Sequence, residues 1–264
     1  MLRRGLGPGR FDEQTEAVLA LDAPATDLVL LAGGVRPVSV AAALPSRGEV
    51  VVIDVAGAGL ALEARIPFAG GPVAPGSLAA MEVDGRRALA VGLLPGGART
   101  GITWLVEENT GWAEATTLEL PIHVLALTPF DHDGDSSDEL AVLAAGEQGP
   151  DGPGRVILLR STPNGWQTHH QERAGQRPFA LAAGDLDGDG RDDLVVGAQN
   201  SHHVNAWLSR GDGLQRLPDL GVGRGPLDVS IADVDGDGTP EVLAANNFSN
   251  NVSVVDVERL TEER

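Results

Sequence analysis

The chain has 264 residues and a formal net charge of −19, with no cysteine, no tyrosine and all of its positive charge on arginine. The lack of cysteine excludes a disulfide framework and thiolate chemistry, and so acidic a balance argues against nucleic acid and anionic membrane surfaces as partners. No apolar run approaches the ~20 residues of a membrane span, and the stretch from Met1 to Arg10 has basic residues without the apolar h-region of a signal peptide.

Taken in order, the chain is a repeat. A proline followed by a short alternating apolar run begins at Pro24, Pro75, Pro121, Pro178 and Pro226, about fifty residues apart. A second apolar run follows each, at Val38, Ala88, Glu139, Asp193 and Glu241, and a third at Glu49, Gly101, Arg155, Val204 and Val252. Turn residues bound every run and no 3.6-residue periodicity separates them, so the runs read as strands. Four repeats continue into a more polar fourth segment entered at Gly59-Leu60, Gly111-Trp112, Gly165-Trp166 and Gly213-Leu214. A four-stranded unit recurring at this length is the signature of a β-propeller blade.

The expected fold is therefore all-β: one β-propeller domain over 1–264, with blades at 24–74, 75–120, 121–177, 178–225 and 226–258. The fifth repeat lacks a fourth segment. The N-terminus has a spare one at residues 11–21, similar in place and character to Leu214–Arg224. That match implies a five-bladed ring whose last blade is completed by the N-terminal outer strand. The alternative is a piece of a seven- or eight-bladed ring.

Three junctions between first and second strands are acidic: Asp185-Leu-Asp-Gly-Asp-Gly-Arg-Asp-Asp193, Asp233-Val-Asp-Gly-Asp-Gly-Thr-Pro-Glu241 and Asp131-His-Asp-Gly-Asp-Ser-Ser-Asp-Glu139. Each sets carboxylates at positions 1, 3, 5 and 9 with glycine at 4. Oxygen donors on alternate residues of a tight loop, closed by one more carboxylate, suit a hard divalent cation, and the expected ion is Ca²⁺. The glycines supply the positive φ that lets those side chains converge. The first two blades keep only Asp84-Gly85 or nothing, at Gly33 to Arg36, and are expected to hold no metal.

The string from Asp185 to Gly197 resembles an FG-GAP or VCBS-type repeat, which builds integrin α-subunit-like propellers. The resemblance implies two or three structural Ca²⁺ ions. Its ligand sets would be Asp185, Asp187, Asp189 and Asp193 with the carbonyl of Arg191, and Asp233, Asp235, Asp237 and Glu241 with that of Thr239. The third would be Asp131, Asp133, Asp135 and Glu139 with the carbonyl of Ser137. Glutamate at two closing positions and Ser136 in place of glycine depart from the pattern. The resemblance also implies an extracellular, periplasmic or cell-surface setting and partners docking opposite the ions.

On that opposite side, the second-to-third turns carry Arg47, Arg99, Arg155, His202, His203 and Asn247. Arginines at equivalent turns suit a carboxylate or sulfate through bidentate hydrogen bonds; the plainer reading is solvated turn residues. No cysteine nucleophile, Gly-x-Ser-x-Gly elbow, phosphate loop or His-Glu-x-x-His is present. The expectation is a monomeric binding or adhesion module for a protein or glycan. The alternatives are a glycan-active lyase or hydrolase and a structural domain of a larger protein.

Overall fold

The structure is a computed structural model that describes residues 2–5, 11–31, 38–56, 59–69, 73–135, 139–211 and 213–257, with side chains from residue 18 onward. Every regular element among them is a β-strand, and the chain divides into two compact units, Met1–Glu119 and Leu120–Arg264.

The first unit opens with β1 (Leu2–Gly5) and β2 (Phe11–Ala17), an antiparallel pair. Blade 1 follows: β3 (Asp27–Leu31), β4 (Val38–Leu44), β5 (Glu49–Ala56) and β6 (Gly59–Pro67). Blade 2 is β7 (Pro75–Val83), β8 (Arg86–Leu93), β9 (Gly101–Glu108) and β10 (Gly111–Glu119). Both are antiparallel sheets with strands in sequence order. Their facing sides share a core that includes Leu31, Val50, Val52, Leu89, Val91 and Leu105, and Leu19 and Leu21 pack on the other face of blade 1.

In the second unit, blade 3 is β11 (Val124–Phe130), β12 (Glu139–Ala144), β13 (Pro153–Thr162) and β14 (Gly165–Gln176). Blade 4 is β15 (Pro178–Gly184), β16 (Asp193–Ala198), β17 (His203–Arg210) and an outer strand split into β18 (Gly213–Arg216) and β19 (Leu220–Gly221). Both halves pair with β17. Pro218 lies in the gap between them, where a residue without an N–H cannot extend a ladder. Blade 5 is β20 (Pro226–Ala232), β21 (Glu241–Asn246) and β22 (Asn251–Val255).

The second strands β12 and β16 are buried at every position and β8 from Ala88 to Leu93, covered on both faces, which is why they read as unbroken apolar runs rather than alternating ones. In β16, Leu194 and Val196 join Phe130, Leu143 and Leu158 of blade 3, whereas Val195 joins Val229, Val242 and Ala244 of blade 5.

One expectation differs from the observed pairing. Residues 11–21 were expected to complete the last blade, but β2 hydrogen-bonds to β1, and blade 5 has three strands among the described residues. A partner a few residues away costs little loop-closure entropy, an advantage that a similarity of sequence pattern does not weigh.

Leu143 is fully buried between blades 3 and 4. Leu143→Ala is therefore expected to lower unfolding free energy by about 2–5 kcal/mol in urea titrations, whereas Val254→Ala, at a position 55% exposed, should change it by less than about 0.5 kcal/mol.

Candidate metal centre

The strand junctions differ between the two units. In blade 2, Val83 pairs directly with Arg86, leaving a two-residue turn of Asp84 and Gly85 at φ 51° and 71°. Positive φ at both central residues is the type I′ hairpin that Asp-Gly favours. The segment Gly33 to Arg36, the matching stretch of blade 1, lies outside the described residues.

Blades 3, 4 and 5 have the long acidic loops instead, and these share a hydrogen-bond plan. The position-2 N–H donates to the position-9 carboxylate in all three: His132 to Glu139 at 3.0 Å, Leu186 to Asp193 at 2.8 Å and Val234 to Glu241 at 3.0 Å. In blades 4 and 5 the position-6 N–H reaches back to position 1, Gly190 to Asp185 at 2.9 Å and Gly238 to Asp233 at 3.0 Å. The N–H groups of Arg191 and Thr239 donate to Asp189 and Asp237 at 3.1 and 2.8 Å. The curl needs Gly188 and Gly190 at φ 73° and 82°, with Gly236 and Gly238 close behind at 80° and 95°.

The result is three carboxylate clusters. Asp131, Asp133 and Glu139, then Asp185, Asp187 and Asp193, then Asp233, Asp235 and Asp237 each place donor oxygens within 4.8 Å of one another. Such all-carboxylate sets fit a hard divalent cation and would not select a soft one. Of the other expected ligands, Asp135, Asp189 and Glu241 stand outside these groups, and Ser137 lies outside the described residues.

Burial sets the electrostatics. Asp193 is fully buried, and this burial, with the charges of Asp187 and Asp189 adding to it, pushes its carboxyl up to about 7 against the N–H groups of Ser209 and Leu186. Burial likewise raises Glu139, although the His132 N–H and Arg160 oppose it.

Two arginines on the third strands also reach the loops. Arg160 bonds Glu139 at 2.7 Å and Asp133 at 3.1 Å, and Arg210 bonds Asp189 at 2.8 Å and also Asp187. The sequence reading missed both, because each lies at the end of an apolar strand and faces the loop only once register is known. It also missed the role of position 2. His132 is buried with Nδ1 3.2 Å from Ser209 Oγ of blade 4, and Leu186 joins the core shared with blade 5. Loops 3 and 4 are tied by Asp131 N–H to Asp192 at 3.0 Å and Asp192 N–H to the Asp131 carbonyl at 2.8 Å.

The turn residues expected to bind a ligand are mostly engaged. Arg47 pairs with Asp22 at 2.8 Å, and Arg99 with Glu114 at 2.9 Å and the Ala69 carbonyl at 3.0 Å. His202 adopts φ 59° and its Nδ1–H donates to the Gln199 carbonyl at 2.8 Å, whereas His203 faces Asp219 at 3.4 Å. Arg155 sits beside Arg173 across the β13–β14 pair, in a polar cleft of about 710 Å³ that also includes Glu147 and Glu172. Asn247 lines a second cleft of about 370 Å³ with Leu227, Asn246, Asn250 and Val252.

Residues 131–196 and 185–244 match the family described as FG-GAP-like repeat. No curated protein matches the chain by sequence. Among solved structures, a functionally unknown protein from Desulfotomaculum acetoxidans is similar at 12% identity and TM-score 0.58, covering 90% of this chain and 70% of that one. BBS1N, solved in complex with ARL6DN, is similar at 14% identity and TM-score 0.63, with 90% and 66% covered. The rhamnogalacturonan lyase PL11 of Bacillus licheniformis is similar at 16% identity and TM-score 0.57, over 88% of this chain and 49% of the lyase. At these identities the likeness establishes the fold alone.

For Asp193 the linkage is direct. A raised folded-state value means the native chain holds this proton longer than the unfolded one, so metal-free stability should fall as pH rises from about 4 to 7. Chelated protein melted across that range should show this slope, and Asp193→Asn should flatten it.

Proposed function

We propose a function from one established premise: the chain carries FG-GAP-like repeats through residues 131–244, in a β-propeller fold. On our reading it is a calcium-stabilised binding module. Ca²⁺ would be held by Asp131, Asp133 and Glu139, by Asp185, Asp187 and Asp193, and by Asp233, Asp235 and Asp237. The ions' part is structural: each supplies positive charge that lets three carboxylates share one loop, so binding energy becomes folding energy. The observation that carries this reading is the recurrence of one cluster at one strand junction in three consecutive blades. One acidic turn is commonplace; three that share the bond from the position-2 N–H to the closing carboxylate are a built feature.

The ligand surface belongs at the other ends of the same strands, in the clefts around Arg155 with Arg173 and around Asn247. Paired guanidinium groups and an amide-rich, partly apolar cleft suit an acidic glycan or a protein loop. The reading entails a calcium-replete setting, extracellular, periplasmic or at the cell surface, and a monomeric protein.

Two measurements test it. Thermal unfolding with Ca²⁺ and with excess chelator should show a Ca²⁺-dependent gain that shrinks in Asp187→Ala and in Asp235→Ala; an undiminished gain in both contradicts the site assignment. Binding to an array of acidic oligosaccharides and proteins should weaken about tenfold in Arg155→Ala, and equal binding by that variant removes the cleft from the account.

A further inference from the structure

The cleft beside the long turn of blade 3 holds a charge arrangement that the fold does not need. Arg155 and Arg173 lie directly opposite each other across the β13–β14 pair. Residues so opposed in an antiparallel pair point to the same face with Cβ atoms about 5 Å apart, and like charges there repel. The chain has 38 acidic residues to 19 arginines, yet this pair is left nearly unanswered. Among the described residues Arg173 forms no ion pair, and Arg155 reaches only Glu147, at 3.8 Å, whose side chain is 94% exposed. Glu172 also lines the cleft, and its carboxylate is 3.2 Å from His170 Nε2. Arg47 and Arg99, in the matching turns of blades 1 and 2, hold carboxylates at 2.8 and 2.9 Å instead. The wall of the cleft is fixed in advance. Residues 145–152, which join β12 to β13, form a turn twice as long as residues 199–202 and 247–250 of blades 4 and 5. Within it, the Gly149 N–H donates to the Gly146 carbonyl at 2.9 Å and the Gly152 N–H to the Gly149 carbonyl at 3.2 Å. The Arg177 N–H donates to the Gly152 carbonyl at 2.8 Å and ties the turn to the next blade.

We infer that this cleft binds a carboxylate-bearing sugar of a uronic-acid oligosaccharide, with Arg155 and Arg173 on the carboxylate and Gln148 and Gln171 on neighbouring hydroxyl groups. This rests on the binding-module reading above and names its ligand. A planar carboxylate accepts forked hydrogen bonds from guanidinium groups and supplies the negative charge that the opposed pair lacks. Among the lining side chains only that of Pro153 has no polar atom. The cleft therefore lacks the apolar or aromatic anchor pocket that a protein partner fills. Amides and carboxylates can instead donate to and accept from sugar hydroxyls. Its volume of about 710 Å³ admits a short oligosaccharide. Keeping two unanswered guanidinium groups face to face costs the empty protein stability, which is the common cost of a site made for binding.

The test is calorimetric titration of the full chain, in Ca²⁺, with an oligomer of a uronic acid, the same oligomer with its carboxylates reduced to alcohols, and a sulfated neutral oligomer of equal length. The wild type should bind the uronic-acid oligomer about tenfold more tightly than the reduced one. Arg173→Gln and Arg155→Gln should each lose about tenfold in affinity for it, whereas Arg86→Gln, the same charge change at the blade 2 turn, should bind as the wild type does. Arg173→Gln should also melt at or above the wild-type temperature, since it removes one of two like charges. Equal affinity for the intact and reduced oligomers, or full binding by Arg173→Gln, overturns the inference. A lower melting temperature in Arg173→Gln overturns it too, because the arginine would then be structural. Tighter binding of the sulfated oligomer overturns the choice of carboxylate. If no oligosaccharide binds but a protein on the array does, this inference fails and the binding-module reading stands; if nothing of either class binds, that reading fails as well.

Discussion

Like charges brought together must be answered by an opposite charge, and this constraint governs the second unit of the protein. Each acidic loop gathers three carboxylates within 4.8 Å. The geometry is not an accident of an acidic composition, because the loop's own N–H groups hold the carboxylates there. The position-2 N–H anchors the closing carboxylate, and that anchor fixes where the position-2 side chain goes. In blades 3 and 4 the side chain is buried, as His132 and Leu186, against the next blade. Loop electrostatics and blade packing are thus one problem. An ion at a hundred times its Kd adds about 2.7 kcal/mol per site. A part-exposed arginine–carboxylate pair contributes up to about 1 kcal/mol. Either can neutralise a loop, and the ion dominates wherever it binds well.

Blade 2 of the first unit meets the same need without a long acidic loop. The Asp84-Gly85 turn closes its hairpin with backbone geometry alone, and Arg87 then sits among Glu107, Glu63 and, through Ser39, Asp54. Burial raises the Glu63 carboxyl, with Asp54 and Glu107 adding to the shift and Arg87 opposing it. An arginine fixed in the chain needs no supply of metal. It also holds a blade–blade contact in one arrangement, since removing one partner would strand the others.

Much of this was legible in the sequence, for reasons particular residues make plain. The second strands announced themselves because a strand covered on both faces is apolar at every position, as in Leu194 to Val196. The acidic loops were legible because ligand spacing and glycine placement are local properties of the chain. What was not legible depends on register or on competition between distant partners. Arg160 and Arg210 become loop residues only through strand pairing, Arg47 and Arg99 lose their freedom to Asp22 and Glu114, and β2 takes a local partner. A pattern shows what a segment resembles. It does not show which of two compatible partners it will meet first.

The most direct test is anomalous diffraction from crystals grown in Ca²⁺, read at the three strand junctions. The account expects a peak among Asp233, Asp235 and Asp237 and at the Asp185 and Asp131 loops. Density free of any peak at all three, with the carboxylates still converged, would contradict it, because the charge would then be answered by the chain alone.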